Sequence, residues 1–123
     1  MLNKITDPNL LITEIISGIE IVKGEKINLL DLRKIENSIC DYYIVCNGNS
    51  NTHVNSIANS IQKIVSKKIH EKPFNTEGIS NGEWVLMDYI DVVVHVFQTH
   101  IREYYNLEAL WADAITTKID SNY

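Results

Sequence analysis

Apolar side chains recur at helical spacing in two stretches of the chain. The first follows Asp7-Pro8, a pair typical of a helix start with Asp7 as N-cap, and Gly24 is a natural stop. The second runs from about Thr52 to Ile69, after the turn and capping residues 47–51. The pattern predicts two amphipathic helices. Their apolar faces would be Leu11, Ile12, Ile15, Ile16, Ile19 and Val22 in the first, and Val54, Ile57, Ala58, Ile61, Ile64, Val65 and Ile69 in the second.

Shorter apolar runs, bounded by turn residues, predict five β-strands. The run VVVHVF at residues 92–97 is almost wholly apolar, which favours a central strand covered on both faces. A short strand beginning at Pro73 would lie at an edge, where proline is tolerated. The predicted strands are residues 27–32, 42–46, 73–76, 84–89 and 92–98, with the last two forming a hairpin around Ile90-Asp91.

The C-terminal part predicts two short helical turns, at residues 100–105 and 107–112. The polar tail from Thr116 to Tyr123 is expected to be frayed, as are residues 1–6. Neither a repeat nor a linker divides the sequence. We therefore expect one α/β domain over residues 1–123, with a mixed β-sheet flanked by helices.

Composition supports an ordinary soluble domain. The chain has 123 residues, of which 45% are hydrophobic and 22% charged. Cys40 and Cys46 are too few for a disulfide framework or a zinc site, so reduced, buried thiols in a reducing cytosol are expected. The residues before Asp7 do not resemble a signal peptide, and the apolar runs are too short to span a membrane. These features predict a cytoplasmic protein.

The formal net charge of -5 is unevenly distributed. Lysines cluster between residues 63 and 72, whereas residues 73–114 contain seven acids and Arg102 as their only Arg or Lys. This acidic region disfavours direct contact with nucleic acid phosphates and suits a basic partner. Its acids are Glu77, Glu83, Asp88, Asp91, Glu103, Glu108 and Asp113.

Catalytic patterns are weak in this sequence. Asp88 and Asp91 flank the presumed turn and could hold Mg²⁺, but such sites usually have a third carboxylate, and Asp is also a common turn residue. Gly48-Asn49-Ser50 precedes a helix without a P-loop lysine, which favours helix capping over phosphate binding. His95 fits a hydrogen-bonded core residue better than a ligand. We predict no cofactor and no metal.

Aromatic residues concentrate in the acidic region. Some must belong to the core, but Trp and Tyr interleaved with acids also describe a surface that recognises a basic protein. This composition favours a binding module over an enzyme. The residues concerned are Trp84, Tyr89, Phe97, Tyr104, Tyr105 and Trp111.

Three long stretches, in order and with matching spacing, resemble the ribosomal silencing factor (Iojap-like) family. They are ICDYYIVCNGNSNTHVNSIA at residues 39–58, GEWVLMDYIDVVVHVF at 82–97 and REYYNLEALWADA at 102–114. The resemblance implies a small mixed-sheet α/β fold, distantly like nucleotidyltransferases but without their catalytic carboxylates. It also implies binding to ribosomal protein uL14, a block to subunit joining that represses translation, and a homodimer in the free state. A nucleotidyltransferase-like enzyme using Asp88 and Asp91 with Mg²⁺ is the alternative.

The resemblance places the uL14 surface on the strand at residues 84–88 and on residues 104–108. Trp84, Leu86 and Asp88 come first, because alternation along a strand puts all three on one face, and Tyr105 and Glu108 follow. We expect Trp84 to be an interface anchor and not a core residue. Family members often have Gly where this chain has Ile90. A β-branched residue resists positive φ, so the turn is expected to differ.

Overall fold

The computed structural model describes residues 7–121 and 123, without the side chain of Leu110. Within these described residues, four helices and six strands make up one domain. The helices are α1 Pro8–Ile21, α2 Asn51–Ile69, α3 Thr99–Tyr105 and α4 Leu107–Leu110. The strands are β1 Glu25–Asp31, β2 Tyr42–Gly48, β3 Asn75–Glu77, β4 Trp84–Asp88, β5 Val92–Gln98 and β6 Ile115–Lys118.

The strands form one sheet in the order β3-β4-β5-β2-β1-β6. Only the β2–β5 pair is parallel among the described strands, and the other pairs are antiparallel. The predicted α/β domain with a mixed sheet is therefore confirmed. The prediction of a central, doubly covered strand is also confirmed, because every residue from Val92 to Phe97 is buried.

Helices α1 and α2 begin at the predicted caps. The side chain of Asp7 accepts a hydrogen bond from the Asn9 amide at 2.9 Å, and Ser50 accepts one from the His53 amide at 3.0 Å. The capping interpretation of residues 48–50 is thus confirmed. The two helices cross closely at Gly18, where an added Cβ would lie 2.8 Å from the Ile61 Cα.

This helix pair covers one face of the sheet, called here the helix-covered face. The large core of the domain lies beneath it and includes Ile15, Ile61 and Val94. A second, smaller core lies on the opposite face, around Leu30, Tyr43 and Phe97. The short helices α3 and α4, the residues near them and the β1–β2 connection with Leu32, Ile35 and Cys40 pack there. Since no long helix covers it among the described residues, we call this the sparsely covered face.

Both cysteines are free and buried, as predicted. Burial raises the pKa of the Cys40 thiol to about 11 and that of Cys46 to about 12. Of the helices in the described ranges, none is long and apolar enough to cross a membrane.

The prediction of a frayed tail from Thr116 is wrong for residues 116–118. Together with Ile115 they form β6, which pairs antiparallel with β1 and completes the sheet. The Ile119 amide extends this pairing to the Ile27 carbonyl at 2.9 Å. All four β6 side chains are exposed, so the strand has no apolar alternation to reveal it in the sequence. The expected fraying of residues 1–6 lies outside the described residues.

Ile90 has a positive φ, although a β-branched residue was expected to avoid one. Its φ is +76°, and the Asp91 amide bonds back to the Tyr89 carbonyl at 3.0 Å. This three-residue bond with positive φ indicates a γ-turn, which is strained for a β-branched residue. The turn keeps a geometry that suits glycine, and the backbone of Ile90 carries the strain.

Replacing Ile90 by glycine should therefore stabilise the fold. Relief of strain of roughly 1–3 kcal/mol exceeds the entropic cost of glycine, about 0.5–1 kcal/mol, so a net gain of about 1 kcal/mol is expected. Denaturant unfolding of Ile90→Gly measures it. Ile115→Gly is the matched control, since Ile115 is similarly exposed, 57% against 63%, but lies in a strand. That variant should lose stability. A loss in both variants would contradict the account.

Candidate protein interface

Alternate residues of β4 point to the sparsely covered face of the sheet. Trp84, Leu86 and Asp88 are half-buried there, whereas Val85 and Met87 between them are fully buried on the helix-covered face. The predicted alignment of the first three side chains on one face is thus confirmed. Their cross-strand partners on β5 are Phe97, His95 and Val93, respectively.

Trp84, which we expected to be an interface anchor and not a core residue, packs against two aromatic rings. Its ring stacks on Phe97 with centroids 4.8 Å apart and lies 5.0 Å from the ring of Tyr105. Its indole Nε1 donates a hydrogen bond to His95 Nδ1 at 3.1 Å. Trp84 is therefore not one of the fully buried core residues, as expected, but it packs against the second core. Because the cover of this face ends beside β4, the side chain belongs partly to the second core and partly to the surface.

A shallow groove of about 160 Å³ runs beside Trp84. One wall is the loop at residues 78–83, and the other is α3, with Tyr105 at its rim. Gly78 allows the loop to approach β4, since its φ is +91° and an added Cβ would lie 2.0 Å from the Trp84 carbonyl oxygen. Tyr105 is 53% exposed and its neighbour Tyr104 is 79% exposed. Exposed aromatic surface thus lies beside the half-buried indole, on its α3 side.

Acidic residues border this aromatic surface. Glu77 lies directly across from Leu86 in the β3–β4 pair, and Glu83 lines the groove. Glu103 is exposed on α3. The one Arg or Lys of residues 73–114, Arg102, is paired with Glu108. The exposed acids of this region therefore keep their negative charge without a cation from the same segment.

Arg102 connects α3 to the sheet through partly buried polar contacts that the sequence did not indicate. Its Nη1 donates to the Lys26 carbonyl at 2.6 Å and to Asn47 Oδ1 at 2.9 Å. The Lys26 carbonyl is available because β1 has an irregular register there, with φ of +49° at Lys26. Nη2 pairs with Glu108, which also accepts a bond from Asn28 Nδ2 at 3.0 Å. The only signal in the sequence was a lone cation in an acidic region.

Glu108 therefore has a structural task besides any contact with a partner. Burial alone would raise the pKa of its carboxyl group, but the hydrogen bond and the charge of Arg102 outweigh burial and lower it. The ionised carboxylate is thus stabilised in the folded protein. It fixes α4 against the sheet beside the aromatic surface.

Asp88 also bonds within the chain. Its Oδ1 accepts a hydrogen bond from the Ile90 amide at 2.7 Å, which supports the strained turn. Asp91 is exposed at the other end of the same turn. Within the described part of the chain, no group of three or more His, Cys, Asp or Glu side chains is placed to hold a metal ion.

Removal of the Glu108 charge should make stability less dependent on pH. A group with a lowered folded pKa stabilises the fold above its unfolded value, near 4.3, and loses that contribution as pH falls through the folded value. Glu108→Gln should therefore lose about 1.5–3 kcal/mol at pH 7, typical of hydrogen bonds to charged groups, and little at the acidic end. Urea unfolding from pH 7 downward measures the difference. Exposed Glu103→Gln is the control and should change little. Equal losses at every pH would contradict the ion-pair account.

Comparison with known proteins matches this chain to one family over nearly its whole length. The sequence model described as "Ribosomal silencing factor during starvation" matches residues 5–122. Ribosomal silencing factor RsfS of Bacillus subtilis (strain 168) is 41% identical over 99 residues, which cover 80% of this chain and 81% of that protein. RsfS of Halalkalibacterium halodurans is 37% identical over 105 residues, covering 85% of this chain and 88% of that protein.

Solved structures show the same fold. A crystal structure of a protein from Chromobacterium violaceum superposes with a TM-score of 0.81 at 38% sequence identity, covering 87% of this chain and 88% of that one. A second crystal structure, from Bacillus halodurans, gives a TM-score of 0.77 at 32% identity, covering 90% of this chain and 99% of that one.

Proposed function

We propose, because the chain belongs to the ribosomal silencing factor family, that it binds ribosomal protein uL14 on the joining face of the large subunit. Bound there, it would block the small subunit sterically and so repress translation. The observation that carries the proposal is the half-buried Trp84 in a groove between exposed tyrosines and acids. Action on the ribosome would put the protein in the bacterial cytoplasm.

The chemistry of this face suits a basic protein better than RNA. An apolar centre with a charged rim is common interface anatomy. The acids would attract a basic ribosomal protein, while the phosphates of nearby rRNA would repel them. We therefore expect little direct nucleic acid contact. No bond needs to be made or broken for this function, since occupancy of the joining face is sufficient.

Each proposed contact residue would have its own part in recognition. Trp84, Leu86 and Tyr105 would supply apolar contact area, with Tyr105 the most exposed of the three. Asp88 would supply a charge at the end of the same strand. Glu108 would present a fixed charge, because Arg102 already orients its carboxylate. Held in these positions, the side chains would lose little freedom on binding.

The alternative, a nucleotidyltransferase-like enzyme using Asp88 and Asp91 with Mg²⁺, gains no support from a specific contact. Asp88 directs an oxygen to a turn amide, which is the role of a turn residue. We therefore propose a binding protein and not an enzyme.

We also propose that the free protein is a homodimer, as the family resemblance implies. Large exposed apolar side chains are available for a second copy, among them Phe74 at 77% exposure and Tyr104 at 79%. Sedimentation equilibrium at micromolar concentration should give twice the 14.1 kDa chain mass. A single species at the chain mass would refute the dimer and leave the ribosome proposal intact.

Pelleting with purified large ribosomal subunits tests the proposed function. Trp84→Ala should weaken binding by at least about 2 kcal/mol, roughly thirtyfold, if the indole is a hot spot. Tyr105→Ala is a cleaner probe, because that side chain is more exposed. Asp88→Asn keeps an acceptor for the Ile90 amide but removes the charge, so it should weaken binding and reduce its salt dependence.

Ile21→Ala is the matched control for these variants. Ile21 is 59% exposed at the end of α1, which packs on the helix-covered face, so its loss should leave ribosome binding unchanged. Unfolding is measured on the same samples, because Trp84→Ala also removes packing on Phe97. If both single variants, Trp84→Ala and Tyr105→Ala, pellet with large subunits as the wild type does, the proposed surface is refuted.

A further inference from the structure

We infer that His95 is a positioning residue that holds the Trp84 indole in its partner-binding orientation. The inference rests on the proposed function and assigns a part to a buried side chain that would not itself touch the partner. His95 lies on β5 directly across from Leu86 and next to the Trp84–Phe97 pair. It is only 4% exposed.

Stacking alone does not fix the indole. The torsion between an aromatic ring and its Cβ is soft, so a ring can slide or turn over on a flat apolar neighbour. Phe97 supplies such a neighbour, at 4.8 Å between centroids and an angle of 29° between the ring planes. The hydrogen bond from Trp84 Nε1 to His95 Nδ1, 3.1 Å long, adds direction. Among the ways the indole could stack, only those that aim the N–H at Nδ1 keep this bond.

The protonation state of His95 follows from its partner. An indole nitrogen only donates hydrogen bonds, so Nδ1 must be the acceptor and the proton of the neutral ring must be on Nε2. Burial lowers the pKa of His95 to about 4, and the ring is therefore neutral at physiological pH. Nδ1 of His95 is thus available as a hydrogen-bond acceptor at physiological pH.

The histidine ring is itself confined. Tyr43 packs edge-on against it with centroids 4.7 Å apart, and Trp111 packs edge-on against Tyr43 at 5.7 Å. These contacts link the residues after α4 to the indole on β4. Because Tyr43 packs against the His95 ring, the position of the Nδ1 acceptor is fixed.

The other ring nitrogen of His95 shows that the imidazole lowers the stability of the fold. His95 Nε2 is buried and has no hydrogen-bond partner among the described residues. An unsatisfied buried donor is destabilising, and a phenylalanine would fill similar space without one. What the imidazole offers that a phenylalanine lacks is the acceptor for Trp84. The imidazole thus lowers the stability of the fold but fixes the orientation of a surface aromatic side chain. Such a loss of stability is expected at a binding site and not at a position that serves only packing.

Two substitutions at His95 distinguish the effect of the hydrogen-bond acceptor from the effect of the aromatic ring. His95→Phe keeps an aromatic ring but removes the acceptor, while His95→Asn places a carbonyl oxygen close to the position of Nδ1. The first readout is the indole N–H resonance of Trp84 in the free protein, assigned with Trp84→Phe because Trp111 also contributes one. We expect a shifted or broadened signal in His95→Phe and a signal nearer to wild type in His95→Asn.

The second readout is pelleting with large subunits, with unfolding measured on the same samples. His95→Phe should bind about three- to tenfold more weakly, the effect of one hydrogen bond, without a matching loss of stability. His95→Asn should recover part of that loss. In a Trp84→Phe background, which has no indole N–H, His95→Phe should have no further effect on binding.

The outcomes distinguish this inference from the proposed function. Wild-type binding by His95→Phe, with weak binding by Trp84→Ala, would overturn the positioning role and leave the interface in place. Wild-type binding by Trp84→Phe would overturn it as well, and that variant serves if His95→Phe fails to fold. Wild-type binding by both Trp84→Ala and Tyr105→Ala would instead refute the interface.

Discussion

The guanidinium group of Arg102 holds the short C-terminal helices on the sheet, and the shape of the proposed interface depends on where those helices end. One side chain joins α3 to a carbonyl of β1, to Asn47 on β2 and to Glu108 on α4. A helix of 7 residues and one of 4 would not form alone, so tertiary contacts must hold them. The interaction is a partly buried, charge-assisted network, which is strong only while all its members are present.

This arrangement gives the two faces of the sheet different tasks. The long helices α1 and α2 bury the large core and leave little of that face to a partner. On the other face the cover is incomplete, so Trp84 and Leu86 are half-buried at its border. Trp84 illustrates the result, because one side of its ring stabilises the second core while the rest is available for recognition. In the proposed interface, stability and recognition would thus share side chains, and a mutation at this border would act on both.

Much of the fold could be predicted because its signals are local. The Asp7 and Ser50 caps, the periodicity of α1 and α2, and the apolar run of β5 each depend on near neighbours in sequence. Strand β6 could not be predicted, since an exposed edge strand is defined by its pairing with β1 and not by its own composition.

Much of the candidate site depends instead on contacts between residues that are far apart in the sequence. The sequence predicted correctly that Trp84, Leu86 and Asp88 share a face, because alternation along a strand is local. The ion pair of Glu108 and the bond from Trp84 to His95 require knowledge of which elements meet. Ile90 was misjudged for a related reason. The contacts around the turn hold a positive φ that the residue itself disfavours.

The central claim is that the Trp84 side of the sheet meets a basic protein of the large subunit. Site-specific photo-cross-linking tests it most directly, with a photoreactive residue placed at Tyr105 in one sample and at Ile21 in another. Mass spectrometry then identifies what each position captures on purified large subunits. The account predicts that the Tyr105 position captures ribosomal protein uL14 and that the Ile21 position captures no ribosomal component. Capture of rRNA from the Tyr105 position, or of uL14 from the Ile21 position alone, would contradict it.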